Sequence, residues 1–581
     1  MKPVRRSKNT RHAVRLAVCA VAASALATPQ LAGQAGAATG AHGVSAPKWT
    51  RAVAHDTSQP LRDLASLPAP AVDPEARGEE EADTVVLPLD VGQPGDGALQ
   101  RSIPTGSPGV SDTTANFEGL SNDDNFSLYG FRVNPPDTVG DVGLNHYVQM
   151  VNLAYAVYSK TTGNRLLGPV PVGNLWSNFA VPDCADASGD PVVLYDQLSD
   201  RWILSQFTTS GLDDPALPFY NCIAISTTGD PTGTYYRYAF STGLNFPDYP
   251  KYGVWTDSYV ITTREFGPTT QYGIGVYGLE KNKMLNGQSA RAVQFYIDGN
   301  APDQLPLVGD GLLPADVDGK TKPKTDTAIP LVGTQDDNSD YGATFDALNI
   351  WDLRVKWRSS PVASLTLNTQ LPTAAFDSVY PCGPTARDCL AQPGITDPAR
   401  YLDVQSYRQR PIHRLAYRSF GTSESLVTNQ SVEAAPGRAG VRWYQIQRNA
   451  GTTYSLSNQG TFAPSDGVNR WMGSVAQDKF GNMAAGYSVV NGTDVYPGIR
   501  YTGRLKSDPP SQLTLGEKTV KVGTGSQFTT NSRWGDYSSM NVDPVDDCTF
   551  WYTSEYYAVS GNAAVTAPWQ TRIASFKLPG C

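Results

Sequence analysis

From about residue 120 onward, apolar and aromatic runs alternate with short turns rich in Gly, Asn and Asp. Turns of this kind lie at 162–164, 228–230 and 480–482. Runs of about four to eight residues separated by such turns predict β-strands joined as hairpins. The chain is therefore predicted to be all-β over this region.

A longer repeat is superimposed on this pattern: an apolar strand, an Asp, a turn, and an aromatic-rich strand. It is clearest at 192–207, 473–488 and 538–557, with looser copies at 138–152, 251–266, 328–353 and 404–420. Seven units of about 65 residues, each with three or four antiparallel strands, predict a single seven-bladed β-propeller. A row of β-sandwich domains would need linkers and units nearer about 100 residues. Six or eight blades are the numerical alternatives.

Three segments are predicted along the chain. Residues 1–37 place six basic residues before an apolar run at 16–27 and small residues near 35–37, the order of a secretory signal peptide. Residues 38–110 are rich in Ala, Pro, Gly, Asp and Glu, which predicts a disordered N-terminal segment acting as a flexible linker or pro-segment. Within it, 84–91 could pair as a strand and close the ring. Residues 111–581 form the predicted propeller domain.

Composition agrees with a strand-rich extracellular protein. Charged residues make up 17% of the chain, while Gly (54), Tyr (29) and Trp (11) are plentiful. The net charge of -9 argues against nucleic-acid binding, because no basic surface is available to displace counterions from phosphates. No apolar run reaches the roughly 20 residues of a membrane span. We expect a secreted, extracellular monomer whose partner is a glycan or another extracellular protein.

Six cysteines remain once the signal peptide and Cys19 are removed. An even number in a secreted chain predicts disulfides, and six cysteines allow fifteen pairings. The most local pairing joins neighbours along the chain: Cys184–Cys222, Cys382–Cys389 and Cys548–Cys581. A metal site is the weaker interpretation, because the sequence has no CxxC motif and no histidine near these positions.

The predicted propeller brings distant residues together. Residues just before and within the innermost strands converge at one mouth of the central channel. An Arg-Trp pair recurs there at 470–471 and 533–534, which is the most specific signal in this set. The whole set comprises Asp137, Asp190, Asp248, Tyr249, Lys251, Arg408, Arg410, Arg470, Trp471, Arg533, Trp534, Asp536 and Tyr537.

These residue types suit chemistry on an acidic glycan. Two carboxyl groups can act as acid and base on a glycosidic bond, and a tyrosine whose pKa is lowered by arginines can act as nucleophile or base. Guanidinium groups bind carboxylates, and aromatic faces stack on sugar rings. The predicted catalytic residues are Asp137, Asp190, Asp248, Asp536 and Tyr537, and the predicted substrate-binding residues are Lys251, Arg408, Arg470, Trp471, Arg533 and Trp534. The structural alternative is that they cap turns and bind neighbouring blades.

A second aspartate series and the histidines narrow this hypothesis. The series lies at the turn between the first two strands of each unit, where a turn-building role is predicted: Asp141, Asp196, Asp257, Asp478 and Asp543. Only His146 and His413 belong to the predicted propeller. Acid–base chemistry here would therefore rely on carboxylates, tyrosine and arginine, with His413 as an outside candidate.

A metal site is predicted in an acidic loop. Asp336, Asn338 and Asp340 place oxygens at alternate positions, as calcium loops do, although no Glu completes an EF-hand. The segment 316–319 (DVDG) is a similar, shorter candidate. A structural calcium ion and an ordinary acidic loop are the two interpretations. No other cofactor is expected, since the sequence has no P-loop, GxSxG or GxGxxG motif.

Two motifs carry a family resemblance. PPDTVGDVG at 135–143 and RWGDYSSMNVDPVDDCTFWYTSEYY at 533–557 resemble the propeller region of secreted bacterial β-propeller proteins. The chain is also similar, in fold and residue types, to sialidases and propeller-type polysaccharide lyases, but it lacks the SxDxGxTW motif of sialidases. The resemblance implies an extracellular glycan-directed protein, a glycoside hydrolase or a polysaccharide lyase. A non-catalytic propeller that binds a glycan or a protein is the alternative, and no residue role follows from the resemblance.

Overall fold

The fold is described from a computed structural model of the chain. The residues described are 43–70, 95–104, 109–268, 272–324, 326–339, 341–380, 382, 389–404, 409–449, 453–528, 532–562 and 568–581. They form an all-β structure with a few short helices, as predicted. The longest of these helices has eight residues. None of the helices in these ranges is long and apolar enough to cross a membrane.

Several elements precede the repeated sheets. They are β1 (Lys48–Arg51), β2 (Ala54–Thr57), α1 (Leu61–Leu64), β3 (Leu99–Gln100), β4 (Ala115–Ser121) and α2 (Asn122–Tyr129). Helix α2 begins where the sequence supplies a capping box: the Ser121 hydroxyl accepts from the Asp124 N–H, and the Asp124 carboxylate accepts from the Ser121 N–H. It ends at Gly130, which takes the left-handed conformation.

The first three repeated units are antiparallel sheets built on four consecutive strands, called blades 1 to 3. Blades 2 and 3 each gain a fifth strand from the N-terminal side of the chain, β2 and β1 respectively. Blade 1 has β5 (Val139–Val142), β6 (His146–Val151), β7 (Ala154–Ser159) and β8 (Arg165–Pro171). Blade 2 has β9 (Val192–Asp196), β10 (Arg201–Phe207), β11 (Phe219–Ser226) and β12 (Tyr235–Gly243), with α3 (Ser210–Asp213) between its second and third strands. Blade 3 has β13 (Phe246–Val254), β14 (Ser258–Phe266), β15 (Gly273–Glu280) and β16 (Arg291–Asp298), with α4 (Lys281–Met284) before its last strand.

Four further units complete the series. After α5 (Leu305–Val308), blade 4 has β17 (Leu313–Asp318), β18 (Ile329–Gln335), β19 (Ala347–Lys356) and β20 (Val362–Pro372). Blade 5 has β21 (Ile412–Ser419), β22 (Ser423–Ala435), β23 (Arg438–Asn449) and β24 (Ser455–Phe462). Blade 6 has β25 (Asn469–Gln477), β26 (Met483–Val490), β27 (Tyr496–Arg504) and β28 (Leu515–Gly523), followed by the short β29 (Gln527–Phe528). Blade 7 has β30 (Ser539–Val542), β31 (Phe550–Tyr557) and β33 (Trp569–Phe576), with the short β32 (Gly561–Asn562) between the last two.

The seven units close into a ring, so the predicted β-propeller is confirmed. The innermost strand of each blade contacts that of the next in the order β5, β9, β13, β17, β21, β25 and β30, and β30 contacts β5. Strands β17 and β21 also pair in parallel, which joins blades 4 and 5 into one sheet. The channel mouth is defined below as the end of the ring at which these innermost strands begin.

Strand β4 supplies the fourth strand of blade 7. It pairs antiparallel with β33, with Phe117 opposite Ile573. The ring is therefore closed by a strand from the N-terminal side of the chain joined to strands from its C-terminal end. Residues 84–91, for which a closing role of this kind was predicted from the sequence, lie outside the described part of the chain.

Part of the segment 38–110 differs from the predicted flexible linker. Strand β1 pairs with β16, with Trp49 opposite Val293, and β2 pairs with β12, with His55 opposite Tyr238. Strand β3 pairs with β24 on blade 5. These strands cover the outer edges of blades 2, 3 and 5, where unpaired N–H and C=O groups would otherwise remain. The composition conceals them because each is at most four residues long and lacks an apolar run.

Large side chains fill the space between blades. Eight tryptophans are among the most completely buried residues: Trp176, Trp202, Trp255, Trp351, Trp443, Trp471, Trp534 and Trp569. Polar side chains also join neighbouring innermost strands. The Asp141 carboxylate accepts from the Tyr195 N–H at 2.7 Å, and the Asp316 carboxylate accepts from the Val254 N–H at 3.1 Å. Both contacts connect one blade to the next.

All three predicted disulfides are present. They are Cys184–Cys222, Cys382–Cys389 and Cys548–Cys581. Cys548 lies in the turn before β31 and Cys581 is the last residue, so this bridge attaches the C-terminus to blade 7. Proximity along the chain predicts these pairs correctly because each bridge joins neighbouring parts of the chain. Cys184, for example, lies in the connection before blade 2, and Cys222 lies on β11 of that blade.

The three bridges should contribute unequally to stability. Replacing Cys548 and Cys581 with Ser should lower the free energy of unfolding by about 4 kcal/mol, because this bridge closes a loop with a sequence separation of 33. Replacing Cys382 and Cys389 should cost about 2 kcal/mol, since their separation is only 7. Urea unfolding followed by tryptophan fluorescence measures both. A larger loss from the short loop would contradict the entropic explanation.

Candidate functional site

An unusual backbone conformation recurs near the start of each innermost strand. Among the described residues, every blade has at least one residue with positive φ there, and in six blades such a residue is not glycine. A non-glycine residue in this region costs about 1–3 kcal/mol and persists only where its surroundings enforce it. The residues are Asp137 (φ 48°), Asp190 (42°), Tyr249 (50°), Gln409 (43°), Met472 (50°) and Asp536 (58°), with Gly311 (150°) in blade 4. Three of the predicted catalytic acids are therefore held at the channel mouth by a repeated feature of the fold.

Asp137, Asp190 and Tyr537 form the centre of the cluster. Tyr537 Oη donates to Asp190 Oδ2 at 3.2 Å. Burial, followed by the nearby charge of Asp248, raises the pKa of Asp190 to about 7, and the side chain of Asp137 opposes part of this rise. Asp190 can therefore exchange a proton near neutral pH.

Lys251 lies beside this acid pair, between two tyrosine rings. Its Nζ is 2.9 Å from the ring centroid of Tyr249 and 3.7 Å from that of Tyr537. It also donates to the Tyr249 and Pro250 carbonyls at 3.4 and 3.5 Å. Burial, together with the charge of Arg410, lowers the pKa of Lys251 well below its ordinary value. The Arg410 guanidinium carbon is 3.8 Å from the Tyr249 ring centroid on blade 3.

Asp248 is the most accessible acid of the cluster. Its side chain is 14% exposed, whereas Asp137 and Asp190 are buried. Arg264 contacts Asp248 at 3.3 Å and Asp310 at 3.7 Å. A small cavity of about 10 Å³, enough for roughly one water molecule, lies here and is lined by Tyr249, Lys251, Arg264, Gly311 and Arg410 among others. This side of the mouth is therefore cationic and lies next to the acid pair.

Blade 7 adds a second buried pair of charges. Arg533 binds the carboxylate of Asp536, and the Asp536 carbonyl accepts from Tyr249 Oη at 3.0 Å. Glu555, on the neighbouring β31, accepts from the Gly535 N–H at 2.9 Å. Burial raises the pKa of Glu555 well above its ordinary value. Sequence reasoning missed Glu555 because it stands within a strand rather than before one.

A deeper layer of the channel contains His413 and Arg414, both buried on β21. The His413 ring lies 6.2 Å from that of Tyr537, and burial lowers the pKa of His413 well below its ordinary value. Arg414 binds Asp316 at 2.8 Å and Asp318 at 2.6 Å. His413 is the outside candidate from the sequence, whereas Arg414 was missed. The two residues stand together between Ile412 and Leu415 in a strand rich in apolar residues. This pattern could have indicated both.

The structure does not bring Arg470 to a binding surface. Its guanidinium is fully buried and is held by Asp466 at 2.6 Å and Glu517 at 2.8 Å, both in blade 6. It also donates to the Val468 carbonyl at 3.0 Å. The prediction that Arg470 binds substrate is therefore corrected: its hydrogen bonds are used inside the blade. Arg408, also predicted to bind substrate, lies outside the described residues.

Trp471 and Trp534 are not stacking platforms. Both are completely buried, and their rings pack against each other with centroids 5.3 Å apart. Trp534 also donates from its indole N–H to Ser488 Oγ at 3.1 Å. A sugar ring cannot reach an aromatic face that a neighbouring ring already covers. The repeated Arg-Trp motif therefore marks packing between blades 6 and 7, and only Arg533 of the two arginines reaches the cluster.

The environment of Tyr537 also differs from the hypothesis. A base or nucleophile role needed neighbouring arginines to lower its pKa. Instead, burial and the charge of Asp190 raise the pKa of Tyr537 well above its ordinary value, and its hydroxyl donates to Asp190 and to the Pro250 carbonyl at 3.0 Å. Tyr537 is therefore a hydrogen-bond donor that orients Asp190, and the base role is not supported.

The second aspartate series largely builds turns, as predicted. Asp478 accepts from the Phe480 and Asn482 N–H groups at 2.8 and 3.0 Å, and Asp543 accepts from the Val545 N–H at 2.9 Å. Asp196 accepts from the Leu198 N–H at 3.1 Å. Asp141 and Asp196 also accept from the neighbouring blade, Asp141 from the Tyr195 N–H at 2.7 Å and Asp196 from Tyr259 Oη at 2.9 Å. Asp257 is exposed at its turn and accepts from Ser258 Oγ at 3.1 Å.

The loop predicted to bind calcium has a different hydrogen-bond pattern. Asp336 accepts from the Asn338 and Ser378 N–H groups at 2.8 and 2.7 Å, and the Asn338 amide donates to the Phe376 carbonyl at 3.4 Å. Asp340 lies outside the described residues. A different set, Asp336, Asp337 and Asp346, brings carboxylate oxygens within 4.8 Å of one another. Calcium binding here stays a prediction, for which a calcium-dependent rise in melting temperature over an EDTA-treated sample is the measurement.

Several buried acids predict how stability depends on pH. Burial raises the pKa of Asp346 and of Asp377 to about 7 and that of Asp141 to about 8. Because these folded-state values exceed the unfolded ones, the native protein binds more protons between about pH 4 and pH 8, and stability is lost as pH rises through this window. We expect the melting temperature to fall from about pH 5 to about pH 8.5. Asp346→Asn should flatten this profile, whereas an unchanged slope would contradict the assignment.

Comparisons with known proteins concern the fold. No protein-family model matches the chain, and no curated protein matches it. A solved α-L-arabinofuranosidase of Fusarium graminearum, in complex with arabinobiose, is 11% identical over 66% of this chain and 93% of its own, with a TM-score of 0.34. The α-L-arabinanase of Penicillium chrysogenum is 11% identical over 70% of this chain and 96% of its own, with a TM-score of 0.32.

A sialidase of Trypanosoma rangeli is a third similar structure. It is 9% identical over 56% of this chain, with a TM-score of 0.30. The match spans 45% of the sialidase, which is less than half of its length. At such identities the likeness assigns no role to any residue of this chain.

Proposed function

We propose that the protein is an extracellular glycan-directed β-propeller that hydrolyses an acidic glycan at the channel mouth. The observation that carries the proposal is Asp190, a buried acid with a pKa of about 7 that accepts a hydrogen bond from Tyr537 and lies near the guanidinium groups of Arg264 and Arg410. Groups with strongly perturbed pKa values that converge from several blades are typical of catalytic sites. Three disulfides support an extracellular location, because such bonds persist in oxidising compartments.

The acids of the cluster divide their roles by pKa and exposure. A glycosidase uses two carboxyl groups, one as an acid and one as a base or nucleophile. Asp190, whose pKa is about 7 and which accepts a hydrogen bond from Tyr537, is assigned as the general acid. The second carboxylate is then Asp248, which is more accessible than Asp536, the acid that Arg533 binds.

The guanidinium groups define the class of substrate. Arg264 and Arg410 line one side of the mouth beside Lys251, and Arg533 lies just before the first strand of blade 7. Guanidinium groups suit planar carboxylates, as in uronic or sialic acids. A lyase that used Tyr537 as its base would need that hydroxyl deprotonated, and the raised pKa of Tyr537 opposes that role. Hydrolysis is therefore favoured over elimination by Tyr537.

A product assay on purified protein tests this proposal. Polyuronates, sialosides and arabinans are incubated with the protein, and new reducing ends and 4,5-unsaturated products are measured separately. We expect new reducing ends from a carboxylated glycan without unsaturated product. Unsaturated product alone would show a lyase instead, and no product from any of these substrates would overturn the enzymatic proposal.

A second function follows from the burial of the cluster. Asp137, Asp190, Lys251, Arg410 and Tyr537 are each at most 2% exposed. A cluster this closed also fits a non-catalytic propeller in which the polar groups hold the blades together while an outer surface binds a glycan or a protein. Binding of a carboxylated glycan without turnover would favour this second function. A monomeric state stays a prediction, for which light scattering after size-exclusion chromatography is the measurement.

A further inference from the structure

A cavity of about 550 Å³ lies away from the channel mouth. It is lined by residues of blades 3 and 4, including Asp257, Glu280, Asn282, Asp326 and Trp357. Strand β13 begins at the mouth and ends just before the turn that carries Asp257, so the cavity opens on the opposite face of the ring. Ligand pockets commonly have about 300–1,000 Å³. This cavity is therefore large enough for a small ligand, and the proposed catalytic cluster does not use it.

Trp357 is held in a fixed orientation in this cavity. Its indole N–H donates to Ser258 Oγ at 2.9 Å, and Ser258 Oγ in turn donates to Asp257 at 3.1 Å. The Trp49 ring packs edge-on against it, with centroids 5.8 Å apart and planes at 82°. A half-buried aromatic ring fixed by hydrogen bonding and packing loses little entropy when a ligand stacks on it. Trp471 and Trp534, by contrast, are completely buried and present no accessible face.

The charges around the cavity balance. Glu280 binds Arg291 through two hydrogen bonds of 2.7 and 2.8 Å, and the Arg358 carbonyl accepts from Arg291 at 2.8 Å. Asp326 lies 3.9 Å from Lys356. The carboxylates of Asp257, Glu280 and Asp326 are thus matched by the cations of Arg291, Lys356 and Arg358. A ligand with net charge gains little here, whereas one with many hydroxyl groups can use the acceptors and donors.

We propose that this cavity binds a neutral saccharide, with its apolar ring face on Trp357 and its hydroxyl groups on Asp257 and Asn282. Aromatic side chains with nearby polar groups suit ligands that present an apolar face and a polar edge. Asp257 supports this role because it faces the cavity, whereas Asp478 at the equivalent turn of blade 6 has both carboxylate oxygens engaged within its own turn. The site requires no catalysis and is independent of the function proposed for the mouth.

Titration with neutral oligosaccharides tests the inference. The probes are the cello-, xylo-, malto- and arabino-oligosaccharides, and calorimetry on the full chain measures the dissociation constant. We expect at least one probe to bind and Trp357→Ala to weaken it at least about tenfold. Asp257→Asn, an exposed change that preserves the fold, should weaken it about threefold or more. Phe480→Ala is the matched control, since Phe480 is an exposed aromatic residue at the equivalent turn of blade 6, and it should leave binding unchanged.

The possible outcomes separate the two proposals. The proposed saccharide site would be overturned if none of the four kinds of probe bound. It would also be overturned if Trp357→Ala and Asp257→Asn bound the probe as tightly as the wild-type protein does. If Asp190→Asn abolished binding and Trp357→Ala did not, the ligand would lie at the channel mouth. That result would also overturn the proposed saccharide site. A protein that binds a neutral probe at Trp357 but cleaves no acidic glycan keeps this inference and loses only the proposed hydrolase function.

Discussion

Arg414→Met should lower the free energy of unfolding by about 3–5 kcal/mol. Arg414 is buried at the centre of the ring and binds Asp316 at 2.8 Å and Asp318 at 2.6 Å. It also donates to the Met540 carbonyl at 3.1 Å, so it connects blades 4, 5 and 7. Removing the guanidinium leaves two buried carboxyl groups without their cation, and this uncompensated charge is the source of the cost. Urea unfolding followed by tryptophan fluorescence measures the change.

A surface pair provides the control for Arg414. Arg400 lies 3.6 Å from Asp397, and both side chains are exposed, at 52% and 59%. Arg400→Met should therefore cost less than about 1 kcal/mol. Because burial raises the pKa of Asp316, this acid ionises as pH rises, so the loss in Arg414→Met should also grow with pH. Equal losses for the two variants at neutral pH would contradict the view that Arg414 is a central stabilising residue.

The repeat and the disulfides could be predicted because they are local in the sequence. A blade is a run of neighbouring strands, so its apolar pattern and turns appear in order along the chain. Cys184, in the connection before blade 2, and Cys222, on β11 of that blade, are 38 positions apart. Asp478 builds a turn with residues two and four positions away. Such features require only short-range geometry. The edge strands β1 and β2 could not be recognised, because what makes them strands is the blade edge they cover.

The candidate site was only partly predictable, for a related reason. Arg470 and Arg533 stand in the same Arg-Trp motif, yet their partners differ. Glu517, 47 residues away on another strand of blade 6, holds Arg470, whereas Asp536, three residues away, holds Arg533. The motif fixes the tryptophan packing but not the direction of the guanidinium. The sequence therefore predicted which blades meet at the mouth better than it predicted which side chains face it.

Burial of the cluster at the channel mouth shifts the pKa values of its acids and of its lysine. Burial raises the pKa of Asp190 and lowers that of Lys251, and both shifts follow from the same removal of water. Burial favours the neutral form of each group, and Asp190 is itself one of the left-handed residues near the start of an innermost strand. A carboxyl group whose pKa lies near the working pH is suited to transfer a proton. The proposed role of Asp190 as a general acid rests on this property.

Asp190→Asn should reduce kcat/KM for the carboxylated substrate by about 10²–10⁴-fold, the range for loss of a general acid. Asparagine keeps the size of the side chain and can accept from Tyr537, but it cannot deliver the proton that Asp190 holds. Because the folded pKa of Asp190 is about 7, wild-type activity should fall as pH rises above this value. This decrease of activity at alkaline pH should be absent from the residual activity of the Asp190→Asn variant.

Two further variants make this prediction specific. Tyr537→Phe removes the hydroxyl that orients Asp190, so kcat should fall less than in Asp190→Asn while KM changes little, because Tyr537 does not touch the substrate in this scheme. Asp112→Asn is the control, since its side chain is 92% exposed and binds only Lys518 in the described part of the chain. If Asp190→Asn retained full activity and the decrease of activity at alkaline pH, the acid would be another carboxyl group. Glu555 would then be the next to test, because it is buried near Asp536 and burial raises its pKa as well.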